Sequence, residues 1–194
     1  MISSMPRRIG RRHNVVFQVA QIDVVAAQVD LLVVGMFEQN GIDPARGGAS
    51  QVDHALHGTL TRLRAGGIFK GHIGETLMLS TPPLPMQAAS VMLIGMGPAA
   101  ESCLDALGEL TELAMRTTLR MEAHSAACLL AWSECVLPAE NVEASAAAMM
   151  HGALAAIEAQ QSGQSAPRLQ WTFDIRNGHA RRTTAGLRRA LRSK

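Results

Sequence analysis

The strongest constraint on the fold is a pair of short, uninterrupted apolar runs, Leu31-Leu32-Val33-Val34 and Val91-Met92-Leu93-Ile94, each followed at once by glycine. Four apolar residues in a row are too few for a helix and do not alternate. Each run therefore reads as a strand covered on both faces, the pattern of an inner strand in an α/β sheet. Gly35 after the first run, and Gly95 and Gly97 after the second, leave the backbone free for positive φ or for close approach by another group. In open α/β sheets ligands bind at the carboxyl ends of the strands, where these glycines fall.

The rest of the chain fits that frame. Strands are predicted over residues 15–22, 30–36, 75–80, 90–95, 126–132 and 169–175, and helices over 50–65, 101–123, 143–161 and 178–192. Alternating strands and helices of this length argue for an α/β fold with a mixed, mostly parallel sheet. Pro82-Pro83-Leu84-Pro85 and residues 163–167 read as loops. The helix over 144–157 is alanine-rich, with Met149, Met150, Leu154 and Ile157 as its larger apolar side chains, and small residues suit close packing against the sheet. A chain of 194 residues is long enough for one domain with its own core.

Charge is partitioned along the chain. All 16 acidic residues lie between Asp23 and Asp174, with only seven of the 18 basic ones, so the middle carries −9 and the two ends together +11. Arg7, Arg8, Arg11 and Arg12 make a basic N-terminal arm, residues 1–14. Residues 177–194 make a basic C-terminal helix in which Ala180, Thr184, Leu187 and Leu191 form a thin apolar stripe flanked by Arg181, Arg182, Arg188, Arg189 and Arg192. Such a helix suits docking on a partner, an acidic groove or its own domain, and two basic ends on an acidic body suit DNA or an acidic surface. Aromatic content is 3% with no tyrosine, which excludes stacking platforms for single strands and makes any DNA binding phosphate-driven and salt-sensitive. The 15–37 stretch is interrupted by Gln18, Gln21, Asp23, Gln28 and Asp30, so neither a membrane span nor a signal sequence is expected. Cys103, Cys128 and Cys135 lack metal-ligand spacing and fit reduced thiols in the cytoplasm.

Taken in order, Asp30 before an apolar strand, Gly47-Gly48 before a helix, Lys70-Gly-His-Ile-Gly-Glu75, and a strand ending in Gly95-Met96-Gly97 resemble the N-terminal domain of the leucine aminopeptidase (cytosol aminopeptidase) family. Met150-His-Gly-Ala-Leu154 is similar to that family's Glu-Gly-Ala-Leu-Leu run, with His151 in place of Glu, and 181–191 is similar to the linker helix into the peptidase domain. The resemblance implies a three-layer α/β/α, macro-domain-like fold over residues 15–176. In the macro pattern, Asp23 looks like the residue that recognises adenine, and Gly47-Gly48 and Gly95-Met96-Gly97 look like the phosphate-facing loops. Together with Gly35 these form the candidate ligand site, since backbone N–H groups at a glycine turn and a helix start can cradle a diphosphate. Gly35-Met36-Phe37-Glu38 stands where macro domains carry asparagines, and a carboxylate at Glu38 would repel a diphosphate unless it faced away.

No two-metal peptidase region has a counterpart in these residues, so the resemblance implies a non-catalytic assembly or binding module. Its expected partner is a second copy of itself. The macro parallel implies an ADP-ribose or related nucleotide-metabolite binder instead, and the basic ends imply DNA. No catalytic residue, metal ligand or cofactor is expected. Asp53, His54 and His57 share one predicted helix face and have metal-ligating chemistry, but without further convergent ligands they read as a solvated face. Lys70 and Glu75 read as structural positions at a turn and a strand start.

Overall fold

The two apolar runs lie side by side in one seven-stranded sheet, with Leu31 opposite Ser90 and Met36 opposite Gly95 in parallel register. This is a computed structural model, and it describes residues 5–38, 47–98, 103–130, 141–160, 168–175 and 179–193. In chain order the elements are β1 (Arg7–Arg12), β2 (Val15–Ala20), β3 (Leu31–Glu38), α1 (Gly47–Ala55), α2 (Thr59–Ala65), β4 (Thr76–Ser80), β5 (Ser90–Pro98), α3 (Cys103–Arg120), β6 (Ser125–Leu129), α4 (Asn141–Gln160), β7 (Leu169–Asp174) and α5 (Ala180–Arg192). Residues 131–132 of the predicted sixth strand, the 163–167 loop, Cys135, Arg176 and Lys194 lie outside the described residues.

The sheet runs β1-β2-β7-β6-β3-β5-β4. The strands from β2 to β5 are parallel to one another, and the two edges, β1 and β4, are antiparallel to their neighbours. Alternate residues of the inner strands feed two cores. Leu31, Val33, Met92, Ile94, Phe17, Trp171 and Phe173 face α3, α4 and α5. Leu32, Val34, Val91 and Leu93 face Val52 of α1, Leu56 just beyond it, Leu60 of α2, and Phe69. The fold is therefore three-layer α/β/α, and the near-continuous apolar strands follow from burial on both faces.

Three sequence expectations are corrected. The Arg7–Arg12 segment is not a solvated arm but edge strand β1, folded on β2 through a His13-Asn14 turn in which His13 takes φ 48°. Its arginines carry no strand pattern; pairing with β2 and cover from α5 make the strand. The helix expected over 50–65 is two helices, because His57 and Gly58 take φ of 52° and 76° and break it. Asp53 Oδ1 then accepts the N–H groups of Leu60 (2.7 Å) and Thr61 (3.2 Å), satisfying donors left open at the start of α2. The small residues of α4 serve its helix neighbours. A methyl on Gly152 would lie 1.9 Å from Gly108 O of α3, and α5 approaches so closely that a methyl on Gly186 would lie 2.4 Å from Glu143 O.

Candidate functional site

The candidate ligand residues lie along the carboxyl half of the sheet. At one end of this group, Asp23 Oδ1 accepts the N–H groups of Val25 (2.9 Å) and Ala26 (3.1 Å), which turns the chain after β2. Ile22 just before it donates its N–H to Asp174 Oδ1 at 3.0 Å, where Asp174 ends β7 and is 5% exposed. The start of α1 packs directly on this corner: a methyl on Gly48 would sit 3.7 Å from Val24, 3.8 Å from Val34 and 3.9 Å from Leu129. The turn bearing Asp23, the Gly47-Gly48 helix start, the middle of β3 and the end of β6 are thus brought together. Asp174 was not singled out from sequence, although a carboxylate closing the apolar run Leu169-Gln-Trp-Thr-Phe-Asp174 is a usable signal. Nearby Cys128 is fully buried, and its thiol is pushed up to about 12, first by burial and further by the charge of Asp174.

The second glycine group is placed differently from the expectation. Neither glycine segment follows its strand: β3 continues through Gly35 to Glu38, and β5 continues through Gly95, Met96 and Gly97 to Pro98. Gly35 is buried opposite Ile94. Met96 is 3% exposed and belongs to the core beneath α3 and α4. Gly95 lies under the chain's own 70–75 loop, where a methyl would come within 1.9 Å of His72 O and 2.7 Å of Gly71 C. The Gly95 N–H donates to Glu75 O (2.7 Å), and the Gly97 N–H donates to Gly71 O (3.0 Å). Both amides expected to face a phosphate are therefore committed to backbone acceptors.

The same loop accounts for Lys70-Gly-His-Ile-Gly-Glu75. Glu75 Oε2 accepts three successive N–H groups, from Lys70 (2.9 Å), Gly71 (2.8 Å) and His72 (3.0 Å). Gly71 and Gly74, at φ of 84° and 75°, supply the left-handed turns that this wrapping requires. The arrangement is an anion-holding nest filled by the protein's own carboxylate. Asp30 does equivalent work elsewhere: its Oδ2 accepts the N–H groups of His124 (2.7 Å) and Ser125 (3.0 Å), joining the starts of β3 and β6. At the far end of β3, Glu38 faces His72 Nδ1 at 3.1 Å, while the Arg64 guanidinium donates to Phe37 O. Burial lowers the Arg64 pKa from its ordinary value, and the charge of Asp53 acts in the opposite sense.

Asp53, His54 and His57 do not converge. Asp53 caps α2, and His57 sits in the left-handed turn beyond α1 rather than on its face. Among the described residues no group of three His, Cys, Asp or Glu side chains is placed to hold a metal. The apolar stripe of α5 is covered by its own domain: Thr184 and Leu187 are buried, and Leu191 packs so close to β1 that a methyl on Gly10 would come within 2.3 Å of its Cδ2. Of the readings the sequence left open for this stripe, a partner, an acidic groove or its own domain, the structure has the last. Arg7 reaches Thr184 Oγ1 at 3.4 Å, Arg12 pairs with Glu158 at 3.2 Å, and Arg189 pairs with Glu143 at 3.0 Å. Strand β1 and helix α5, which carry the described basic residues of the two chain ends, are therefore neighbours, with Arg8, Arg11, Arg181, Arg182 and Arg192 exposed and Arg188 half-buried. Among the described residues no helix is long and apolar enough to cross a membrane.

Comparison with known proteins agrees with the fold. The chain is 34% identical over 114 residues to a probable cytosol aminopeptidase of Ralstonia pickettii, a match covering 59% of this chain and 21% of that one. Among solved structures it resembles a tomato leucine aminopeptidase variant, with TM-score 0.68 and 21% identity over 90% of this chain and 35% of that one. It also resembles a Trypanosoma brucei macrodomain determined in complex with ADP-ribose, with TM-score 0.66 and 14% identity over 93% of this chain and 73% of the other. At these identities the structural likenesses show the fold alone. The chain spans about a fifth of the length of the curated relatives it matches. The model of the N-terminal domain of the cytosol aminopeptidase family matches residues 33–167, more than half of the sequence, and the chain belongs to that family.

Proposed function

We propose that this domain performs no peptide chemistry of its own and acts as an assembly or binding module of cytosol aminopeptidase type, in a cytoplasmic setting. One observation carries the reading: the carboxylates that stand out in the sequence hold backbone. Asp23 turns a loop, Asp30 joins two strands, Asp53 caps a helix and Glu75 fills a nest of three N–H groups. A carboxylate engaged in this way has its lone pairs directed at backbone donors and few left for a metal or a substrate. The expected partner is a second copy of the chain. The arginines of β1 and α5 offer the module a surface for an acidic partner, DNA included, whose binding would weaken with salt. The test is to incubate the purified chain with a leucyl anilide and manganese or zinc while measuring its mass in solution by light scattering. No release of the anilide and a mass above that of the monomer are expected; metal-dependent release from a contaminant-free sample would overturn the non-catalytic reading.

A second reading, binding of ADP-ribose or a related nucleotide metabolite, is favoured by the meeting of the Asp23 turn with Gly48 beside Val34 of β3 and the end of β6. It draws further support from the fold shared with a macrodomain determined with ADP-ribose. The committed amides of Gly95 and Gly97 leave the Gly47-Gly48 helix start as the phosphate-facing element. Titration calorimetry with ADP-ribose tests it: saturable heat lost in Asp23→Ala supports the reading, and equal heat from parent and variant removes it.

A further inference from the structure

The two edges of the sheet are built in opposite ways. Edge strand β1 carries four arginines, is bulged between Arg8 and Gly10, and is covered on one face by Leu191 of α5. These are the devices by which proteins keep an edge from pairing with another chain. Edge strand β4, Thr76-Leu-Met-Leu-Ser80, has none of them. Its register with β5 is uninterrupted from Thr76 to Ser80, and no charged residue occurs between Glu75 and Glu101.

The ladder defines which groups of β4 point outward. At one end Gly95 N–H donates to Glu75 O, and at the other Thr81 N–H donates to Ala89 O. In an antiparallel pair the bonded residues alternate, so Leu77 and Leu79 complete the ladder to β5. The N–H and C=O groups of Thr76, Met78 and Ser80 then project off the sheet, with no partner among the described residues. Thr76 and Ser80 are exposed and the three residues between them half-buried.

The residue order names the occupant. Read outward from Met78, the strand is the same in both directions: leucine on each side, then a small hydroxyl residue on each side. An antiparallel partner related by a two-fold axis at Met78 would set Met78 against Met78, Leu77 against Leu79 and Thr76 against Ser80. Met78 would exchange both of its backbone bonds with the other copy, and Thr76 with Ser80. Every cross-strand pair would match like with like, with no charge buried and no polar group opposite an apolar one. Resting on the assembly reading above, the geometry points to β4 as the self-association edge, through which two copies of this chain continue one sheet into the other.

Two double variants at exposed positions test this without touching the core. Thr76→Lys with Ser80→Lys places lysine against lysine twice across the two-fold axis, whereas Thr76→Lys with Ser80→Glu places lysine against glutamate twice. Light scattering over a dilution series, with circular dichroism to confirm folding, is expected to give a dimer for the parent and for the Lys/Glu variant. Association of the Lys/Lys variant should be weakened by roughly tenfold or more. A Lys/Lys variant that dimerises as tightly as the parent and the Lys/Glu variant puts the interface elsewhere and overturns this inference alone. A parent that stays monomeric at every concentration overturns both this inference and self-assembly.

Discussion

Replacing Gly95 by alanine should unfold this domain at markedly lower denaturant, whereas the same change at Gly48 should not. At Gly95 the new methyl would lie 1.9 Å from His72 O and 2.7 Å from Gly71 C, both backbone atoms with little freedom to rotate away. Reaching van der Waals separation requires the 70–75 loop to lift by roughly 1.5 Å. That movement breaks the bonds from Gly74 N–H to Gly95 O and from Gly97 N–H to Gly71 O, each 3.0 Å long. Overpacking contributes about 1–3 kcal/mol and each lost hydrogen bond about 1 kcal/mol, for a total of roughly 3–5 kcal/mol. With a urea slope of about 2 kcal/mol/M, the midpoint should fall by roughly 2 M. At Gly48 the methyl meets Val24, Val34 and Leu129 only at ordinary contact distances. There the loss of glycine's freedom in the unfolded chain should leave stability equal or raise it by about 0.5–1 kcal/mol. Equilibrium urea unfolding followed by circular dichroism measures both. A Gly95→Ala midpoint within about 0.3 M of the parent would refute the argument that the loop is seated on Gly95.

Two further outcomes follow from the carboxylate and thiol chemistry. Asp53→Ala should lower stability by about 1–2 kcal/mol through loss of the α2 cap, with Asp53→Asn recovering most of it; calorimetric unfolding decides, and a zinc-dependent shift present in the parent but absent in the variant would restore the metal reading. Cys128, raised from its ordinary 9.0 to about 12 by burial, should resist iodoacetamide in the folded chain at pH 8 and react after urea is added, as read by mass spectrometry. Its folded pKa is the higher one, so the stability linked to this proton is fully present below pH 9 and is lost as pH rises toward 12; rapid native alkylation would show that the thiol is open to solvent.

The inner sheet was legible because a strand buried on both faces must be apolar at every position, as Leu31 to Val34 and Val91 to Ile94 are. The ordered glycines and the Lys70 to Glu75 block were legible as a family pattern, and the family match over residues 33–167 agrees. Their roles were not. Gly48 and Gly95 look alike in sequence, yet one opens a helix with room beside it and the other is sealed by a loop that becomes its neighbour only when β4 pairs with β5. The 53–57 residues share a helix face only if the helix continues, and the cap that Asp53 makes on α2 ends it.

Composition and periodicity by themselves determined the α/β class, the apolar strands and the partition of charge, since each depends on the chemistry of neighbouring residues along the chain. Only the tertiary structure decided that an arginine-rich segment is a strand, that the two basic ends meet, and that the α5 stripe is already covered. Those outcomes are set by contacts between residues far apart in sequence, Gly10 with Leu191 and Gly186 with Glu143 among them. No local pattern encodes such a contact, because the space left beside a glycine is defined by whichever element arrives there.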